Sequence, residues 1–243
     1  MNKILEVKNI YKSFGGIDAN TNISFEVKAG EILGIIGPNG AGKSTLFDLI
    51  TGYTKLDKGE IIFNNKIITR QSPHSIARLG IGRTFQKLKP FHDQTLLENV
   101  IVGVISTGVS LTNAKNKALE IIDLVDLLEK RNHFAKELST GQLKRLEMAR
   151  AMATNPKILM IDEVTGGVDQ RTIPSLIEII KKLNKLGVTI ITIEHNMRVI
   201  MSLSDRILAL DRGQKIAFDI PENIKKNEKV LDAYLGGIES VTT

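Results

Sequence analysis

The densest chemistry in the chain lies in Gly37-Pro38-Asn39-Gly40-Ala41-Gly42-Lys43-Ser44-Thr45. This run fits the phosphate-loop pattern GxxxxGK[ST]. It follows Glu31-Ile32-Leu33-Gly34-Ile35-Ile36, an apolar segment of strand length. It precedes Leu46, Phe47, Leu49 and Ile50, which recur at helical spacing until Gly52. A strand, a glycine loop and a helix in that order turn backbone N–H groups toward phosphate oxygens, aided by the positive end of the helix dipole. Glycines permit the close approach and positive φ that a Cβ would hinder. Asn39, Gly40, Gly42, Lys43, Ser44 and Thr45 are the expected nucleotide contacts, with Lys43 reaching the β- and γ-phosphates and the Ser44 hydroxyl ligating Mg²⁺. The stretch predicts a site for a nucleoside triphosphate.

Two carboxylates come next in importance. Asp162 and Glu163 follow the apolar run Ile158-Leu159-Met160-Ile161, so they emerge where an open α/β sheet presents ligand groups. Beside a phosphate loop, Asp162 is the expected outer partner of the Mg²⁺ on Ser44. Glu163 can accept a proton from a water attacking the γ-phosphate. Leu138-Ser139-Thr140-Gly141-Gln142 opens what reads as an amphipathic helix, with Leu143, Leu146 and Met152 apolar and Lys144, Arg145 and Arg150 polar. Ser139 can cap that helix, and Gly141 leaves its first N–H groups open to an anion, although many helices simply begin with a Ser cap.

The elements that must position these groups follow from periodicity. Residues Ile4–Ile10 and Ile23–Val27 alternate as half-buried antiparallel strands do, with Tyr11 to Gly16 between them as an aromatic pair running into a glycine turn. Gly59–Phe63 reads as a further strand of that small sheet, and Ser75–Leu79 as one helical turn. From about residue 87 to 153 the pattern is mainly helical, carried by Leu96, Leu97, Val100, Ala118, Ile121, Ile122, Val125 and Leu128. A helix over Ile173–Leu186 stops at Gly187. The β-branched run Val188–His195 reads as a strand. Short strands at Arg206–Leu210 and Lys215–Phe218 flank the turn at Asp211-Arg212-Gly213, and a last helix covers Glu228–Leu235.

The expected fold class is α/β: a P-loop nucleotide-binding core with a small antiparallel β subdomain and an inserted helical subdomain. One domain spans 1–243, with 1–86 and 154–243 as core and 87–153 as the insert. Hydrophobic content of 42% and charged content of 25% suit a soluble globular protein. No Cys is present, which excludes disulfides and cysteine-held metals and points to a reducing compartment. Met1-Asn2-Lys3 leads into a strand with no signal-peptide core. The uncharged run from Asn99 to Asn113 is broken by glycines and falls short of the roughly 20 residues that span a bilayer. The net charge of +6 suits an anionic ligand or a membrane surface, but Lys and Arg are scattered, so solvated faces are the preferred reading, and no nucleic-acid partner is expected.

Taken together, the glycine loop, the Gln after a strand, LSTGQ, ILMIDE and the late His resemble the ATP-binding subunit of ABC transporters over essentially the whole chain. The loop then resembles Walker A, LSTGQ the signature LSGGQ, and Asp162 and Glu163 the Walker B aspartate and catalytic glutamate. Gln86 resembles the Q-loop glutamine, a Mg²⁺ and catalytic-site residue at the joint with the helical insert. Asp169 matches the D-loop, His195 the switch histidine that holds γ-phosphate and water, and Phe14 the aromatic that stacks on adenine. Gly82-Arg83-Thr84-Phe85-Gln86 and Ala233-Tyr234-Leu235-Gly236 are similar to the ATPase subunits of branched-chain amino acid importers. Thr140 and Val164 depart from the pattern, replacing the first signature glycine and a proline.

The resemblance implies an importer ATPase using ATP and Mg²⁺, peripheral on the cytoplasmic face of the cell membrane and docked on transmembrane permease subunits. It also implies an ATP-bridged dimer in which Ser139, Gly141, Gln142 and Asp169 serve the partner's nucleotide. A second, related ATPase is the favoured partner, and a homodimer is the alternative, because two identical copies would put Thr140 over both nucleotides. Competing readings are an export ATPase of the lipopolysaccharide kind and a soluble ABC-type ATPase acting on DNA or ribosomes. The short helical insert and the single cassette disfavour the latter.

Overall fold

The computed structural model describes residues 2–85 and 87–235, the last for its backbone alone. Gln86 of the expected site and Gly236 of the C-terminal run therefore lie outside the described residues. In chain order the elements are β1 (Lys3–Phe14), β2 (Ile17–Lys28), β3 (Ile32–Ile36), α1 (Lys43–Ile50), β4 (Lys58–Phe63), β5 (Lys66–Ile67), α2 (Pro73–Leu79) and β6 (Ile81–Arg83). There follow α3 (Leu96–Ile105), α4 (Leu111–Leu124), α5 (Thr140–Met152), β7 (Ile158–Asp162), α6 (Ile173–Lys185) and β8 (Thr189–Ile193). The chain ends with α7 (Met197–Leu203), β9 (Arg206–Asp211), β10 (Gln214–Asp219), α8 (Pro221–Ile224) and α9 (Glu228–Leu235). By packing, the chain divides into one unit of residues 1–76 and 191–243 and another of residues 77–190.

In the first unit, β2-β1-β4-β5 form an antiparallel sheet. The strand expected to end at Ile10 runs on through Tyr11 to Phe14. Asn9 is the reason: at φ 44° it kinks the strand, its N–H donates to Ser24 Oγ at 2.8 Å and its amide to Asn22 Oδ1 at 2.9 Å. The kink absorbs a register shift between Val7 and Ile10, and pairing with β2 then resumes. Beside this sheet, β3 pairs in parallel with β9, Leu33 opposite Arg206 and Ile36 opposite Ala209, and β10 folds back antiparallel on β9. All five residues of β3 are buried, as a parallel strand covered on both faces requires. Arg206 clamps the assembly: its guanidinium meets the Glu31 carboxylate through Nη2 at 2.9 Å, donates to Glu26 O at 3.0 Å and lies 4.5 Å over the Phe218 ring. The Glu31 hydrogen bond raises the Arg206 pKa, so the guanidinium stays charged. Below β3 and β9, Ile36, Ile200, Ile207, Ala209, Ile224 and Val230 form an apolar core that seats α7, α8 and α9. The sequence pattern had indicated neither α7 nor α8, since each is too short to show a helical period.

In the second unit β6 pairs in parallel with β7, Ile81 opposite Ile158 and Arg83 opposite Met160. The helix α5 packs beside them, and α3 and α4 pack against α5 and against each other. Thr95 and Glu98 form a reciprocal capping box at the start of α3. Behind it Asn99, 1% exposed, organises the preceding loop: Oδ1 accepts from Phe91 N at 2.8 Å, while Nδ2 donates to Thr95 O at 2.9 Å and Phe91 O at 3.0 Å. Asn99→Leu removes these three bonds and takes the acceptor from the Phe91 N–H, while the Phe91 and Thr95 carbonyls keep the Gln94 and Asn99 N–H donors, a loss of about 1–3 kcal/mol. A urea-unfolding midpoint clearly below that of the parent is the expected result, and an unchanged midpoint would show that the loop re-pairs elsewhere.

The helix α5 departs from the expected pattern. It is not amphipathic: Lys144 and Glu147 are each 6% exposed, buried along with Leu146, Met148 and Ala149. Glu147 is satisfied by Arg150 Nη1 at 2.5 Å, and Lys144 by a backbone carbonyl described below. Partners available inside the fold, invisible to periodicity, let charged side chains face inward.

Candidate active site

The loop after β3 is shaped by close backbone approach. Gly42, the N-cap of α1, has φ 93°, and a Cβ on it would strike the Ala19 carbonyl and sit 2.6 Å from Asn20 Nδ2. Only glycine fits there. Asn20, 1% exposed on β2, donates from Nδ2 to Gly42 O at 3.2 Å and so backs the loop from behind. No side chain caps α1, so its positive end carries no side-chain acceptor at the N-cap. Asn39, Gly40 and Ser44 are exposed and Thr45 is half-buried. Lys43 is 6% exposed, and its ammonium donates to Gly37 O at 2.7 Å and Pro38 O at 2.9 Å. The charge is thus held over the loop by two carbonyl dipoles.

Two further candidates belong to the same unit. His195 is exposed just past β8, where Asn196 caps α7 by accepting from Arg198 N at 3.1 Å. Phe14 ends β1 with half its surface exposed, and the Lys12 ammonium lies 5.0 Å from its ring centroid. An exposed ring of this kind is free to stack on a planar base. Tyr11, its neighbour in the aromatic pair, lies under Lys58, 5.9 Å from the ring centroid.

The second unit holds the carboxylates and LSTGQ. Asp162 closes β7 and is 6% exposed; its carboxylate accepts from Arg83 Nη2 at 3.4 Å, and its N–H donates to Thr84 Oγ1 at 3.2 Å. Glu163 follows at φ 53°, in the left-handed region that a non-glycine residue seldom occupies. Its carbonyl accepts from Lys144 Nζ at 2.5 Å. The α5 helix therefore grips the peptide that carries the Glu163 side chain. Ser139 and Gln142 cap α5 reciprocally: Gln142 Oε1 accepts from Ser139 N at 3.0 Å, and Ser139 Oγ accepts from Gln142 N at 3.4 Å. That leaves the N–H groups of Thr140 and Gly141 at the helix entry as the open donors. Asp169 is exposed, and its Oδ1 accepts from Arg171 N at 2.7 Å. Val164 is buried, 2% exposed, and so acts as a packing residue.

Each unit also contains residues whose part the sequence pattern does not reveal. Arg83, within the quoted GRTFQ, pairs with Asp162. Lys144, whose type suggests a polar face, instead holds the Glu163 carbonyl. Asn20, in an alternating strand, carried no signal beyond being a polar residue at an inward position. Among the described residues no group of three or more His, Cys, Asp or Glu side chains could hold a metal, so any cation here would need hydroxyl and single carboxylate ligands. Nor is any described helix long and apolar enough to cross a membrane.

Comparison with known proteins matches this arrangement. Residues 20–166 match the family model described as ABC transporter. The chain belongs to the ABC transporter family. It is 37% identical to the high-affinity branched-chain amino acid transport ATP-binding protein LivG of Escherichia coli K12, over 96% of this chain and 98% of that one. BraF of Pseudomonas aeruginosa, of the same description, is 36% identical over 96% and 98%. The ADP conformation of MJ1267, an ATP-binding cassette of an ABC transporter, superposes with a TM-score of 0.89 at 35% identity, covering 97% of this chain and 100% of that one. The fold is that of an ABC cassette: mixed α/β, with an antiparallel sheet and helices. The chain is accordingly an ATP-binding, ATP-hydrolysing subunit of the ABC type.

Proposed function

We propose that this chain is the ATP-hydrolysing motor of an importer for branched-chain amino acids or a related small solute. In this reading it is bound at the cytoplasmic face of the cell membrane through transmembrane permease subunits. The observation that carries the reading is likeness along nearly the full length of LivG rather than across the nucleotide loop alone. The helical segment 87–153 is the proposed insert carrying LSTGQ, with 1–86 and 154–243 as the core.

The roles follow from the chemistry of each group. Amides of the loop from Asn39 to Thr45 and the Lys43 ammonium bind the phosphates, and Phe14 stacks on adenine. Ser44, Asp162 and Gln86 supply hard oxygen donors, the kind Mg²⁺ takes, and Asp162 is already held in place by Arg83. When bound, Mg²⁺ neutralises charge on the β- and γ-phosphates. Glu163 takes the proton of the attacking water, and His195 with Gln86 holds the γ-phosphate and that water. In a dimer, Ser139, Gly141, Gln142 and Asp169 meet the partner's nucleotide; the open N–H groups at the α5 entry suit that task. The dimer has precedent in the MJ0796 cassette, solved as a dimer bound to ADP and Pi, 30% identical over 90% of this chain and 99% of that one, with a TM-score of 0.80. We favour a heterodimer, which would let a related ATPase bring an unaltered signature to the site built on Lys43 and Glu163.

One purification tests the whole reading. The complex extracted from membranes through a tag on this chain is expected to contain permease chains and a second, related ATPase. Reconstituted in vesicles, it should drive ATP-dependent uptake of leucine, isoleucine or valine. A complex holding only copies of this ATPase would overturn the heterodimer, and ATP-driven uptake of another solute class would overturn the substrate.

A further inference from the structure

The C-terminal run Ala233-Tyr234-Leu235-Gly236 entered the sequence reading only as a point of likeness, with no role attached. The structure gives its tyrosine a partner. Tyr234, on the last turn of α9, accepts a hydrogen bond through its hydroxyl from Gly37 N at 2.8 Å, across 197 positions of sequence. Gly37 is the first residue of the phosphate loop. Its backbone has φ 154°, and a Cβ would collide with the Leu210 carbonyl and come within 2.9 Å of Ala41 Cβ. Its carbonyl is the one that receives the Lys43 ammonium at 2.7 Å. Both polar groups of the residue where β3 becomes the loop are therefore held, one by the nucleotide-binding lysine and one by the C-terminal helix.

The hydroxyl is well suited to a fixed post. Its ring lies against the apolar core beneath β3 and β9, close to Met197 and Met201 of α7. Burial pushes its pKa above the usual tyrosine value, so it remains a neutral phenol at physiological pH. A neutral acceptor leaves the loop's positive field intact for phosphate, which a carboxylate in the same place would not.

We propose that Tyr234 is a positioning residue of the phosphate loop, through which the C-terminal helix sets the fraction of molecules whose loop is ready to receive nucleotide. The proposal rests on the assignment of Gly37 to Thr45 as the nucleotide loop. Tyr234 reaches the loop entry and not the amides assigned to phosphate, so its effect should be on the free protein. An affinity measured against a partly competent population is weakened by the competent fraction. Once nucleotide occupies the loop, the phosphates themselves hold it.

Tyr234→Phe keeps the ring and removes the hydroxyl. With the parent first shown to hydrolyse ATP, which tests the loop assignment separately, the variant is expected to raise KM for ATP about five-fold, the scale of one lost hydrogen bond. Its kcat should stay within about two-fold of the parent, since only binding to the free protein is weakened. In the variant the Gly37 amide should exchange with solvent at least about ten-fold faster, while amides of β9 keep their protection. An unchanged KM, or a kcat that falls in step with the rise in KM, would overturn the proposal. Should the variant fail to fold, the Gly37 amide of the unmodified protein decides. Protection comparable to that of β3 sustains the tether, and exchange at the rate of an open loop removes it.

Discussion

Glu163→Gln is expected to bind ATP at near-parent affinity and to hydrolyse it about 10² to 10⁴ times more slowly, the range for losing a positioned general base. The substitution is close to isosteric, and the interaction that holds the residue is made by its backbone: Lys144 Nζ donates to the Glu163 carbonyl, which an amide side chain leaves untouched. The change therefore removes basicity without releasing the peptide. Steady-state phosphate release, measured beside equilibrium ATP binding and with the partner ATPase disabled in the same way, checks this. A rate within a few-fold of the parent would take Glu163 out of the base role. Loss of ATP binding together with turnover would point instead to a damaged site.

Lys43→Ala should abolish productive nucleotide binding. The ammonium is buried and bonded to the Gly37 and Pro38 carbonyls, so truncation removes the charge meant for the phosphates and also the tie that draws the loop together. Truncating one member of a buried, charged hydrogen-bonding pair weakens binding by about 2–5 kcal/mol, a loss of roughly 30-fold or more in affinity. Calorimetric titration with Mg-ATP reads it directly. Lys43→Met, which keeps most of the buried stem, should lose as much affinity, which separates charge from packing. Hydrolysis by Lys43→Ala at the parent rate would make the assignment of this loop wrong.

These two residues were readable because their motifs are local. A phosphate loop needs a strand, a turn and a helix in immediate succession, and β3, the Gly37–Gly42 turn and α1 are contiguous in sequence. The same holds for Ser139, whose cap partner Gln142 lies three residues on. What escaped the reading was non-local. Lys144 looks solvent-facing until the Glu163 carbonyl, nineteen residues away, is placed beside it. Arg83 and Asp162 are 79 positions apart, and only the pairing of β6 with β7 brings them together. The continuation of β1 past Ile10 depended on Asn9 adopting a positive φ, a local choice that alternation of apolar residues does not encode.

The backbone of Glu163 has an implication for protein engineering. A glutamate at φ 53° sits where Gly relaxes and Asn or Asp is better tolerated, and such a conformation costs on the order of 1–3 kcal/mol. Replacing the residue by glycine would ease that strain and delete the carboxylate in one change. Selection for thermostability alone would thus drift toward losing activity at this position, so a screen for robust variants of this motor needs to score turnover alongside melting.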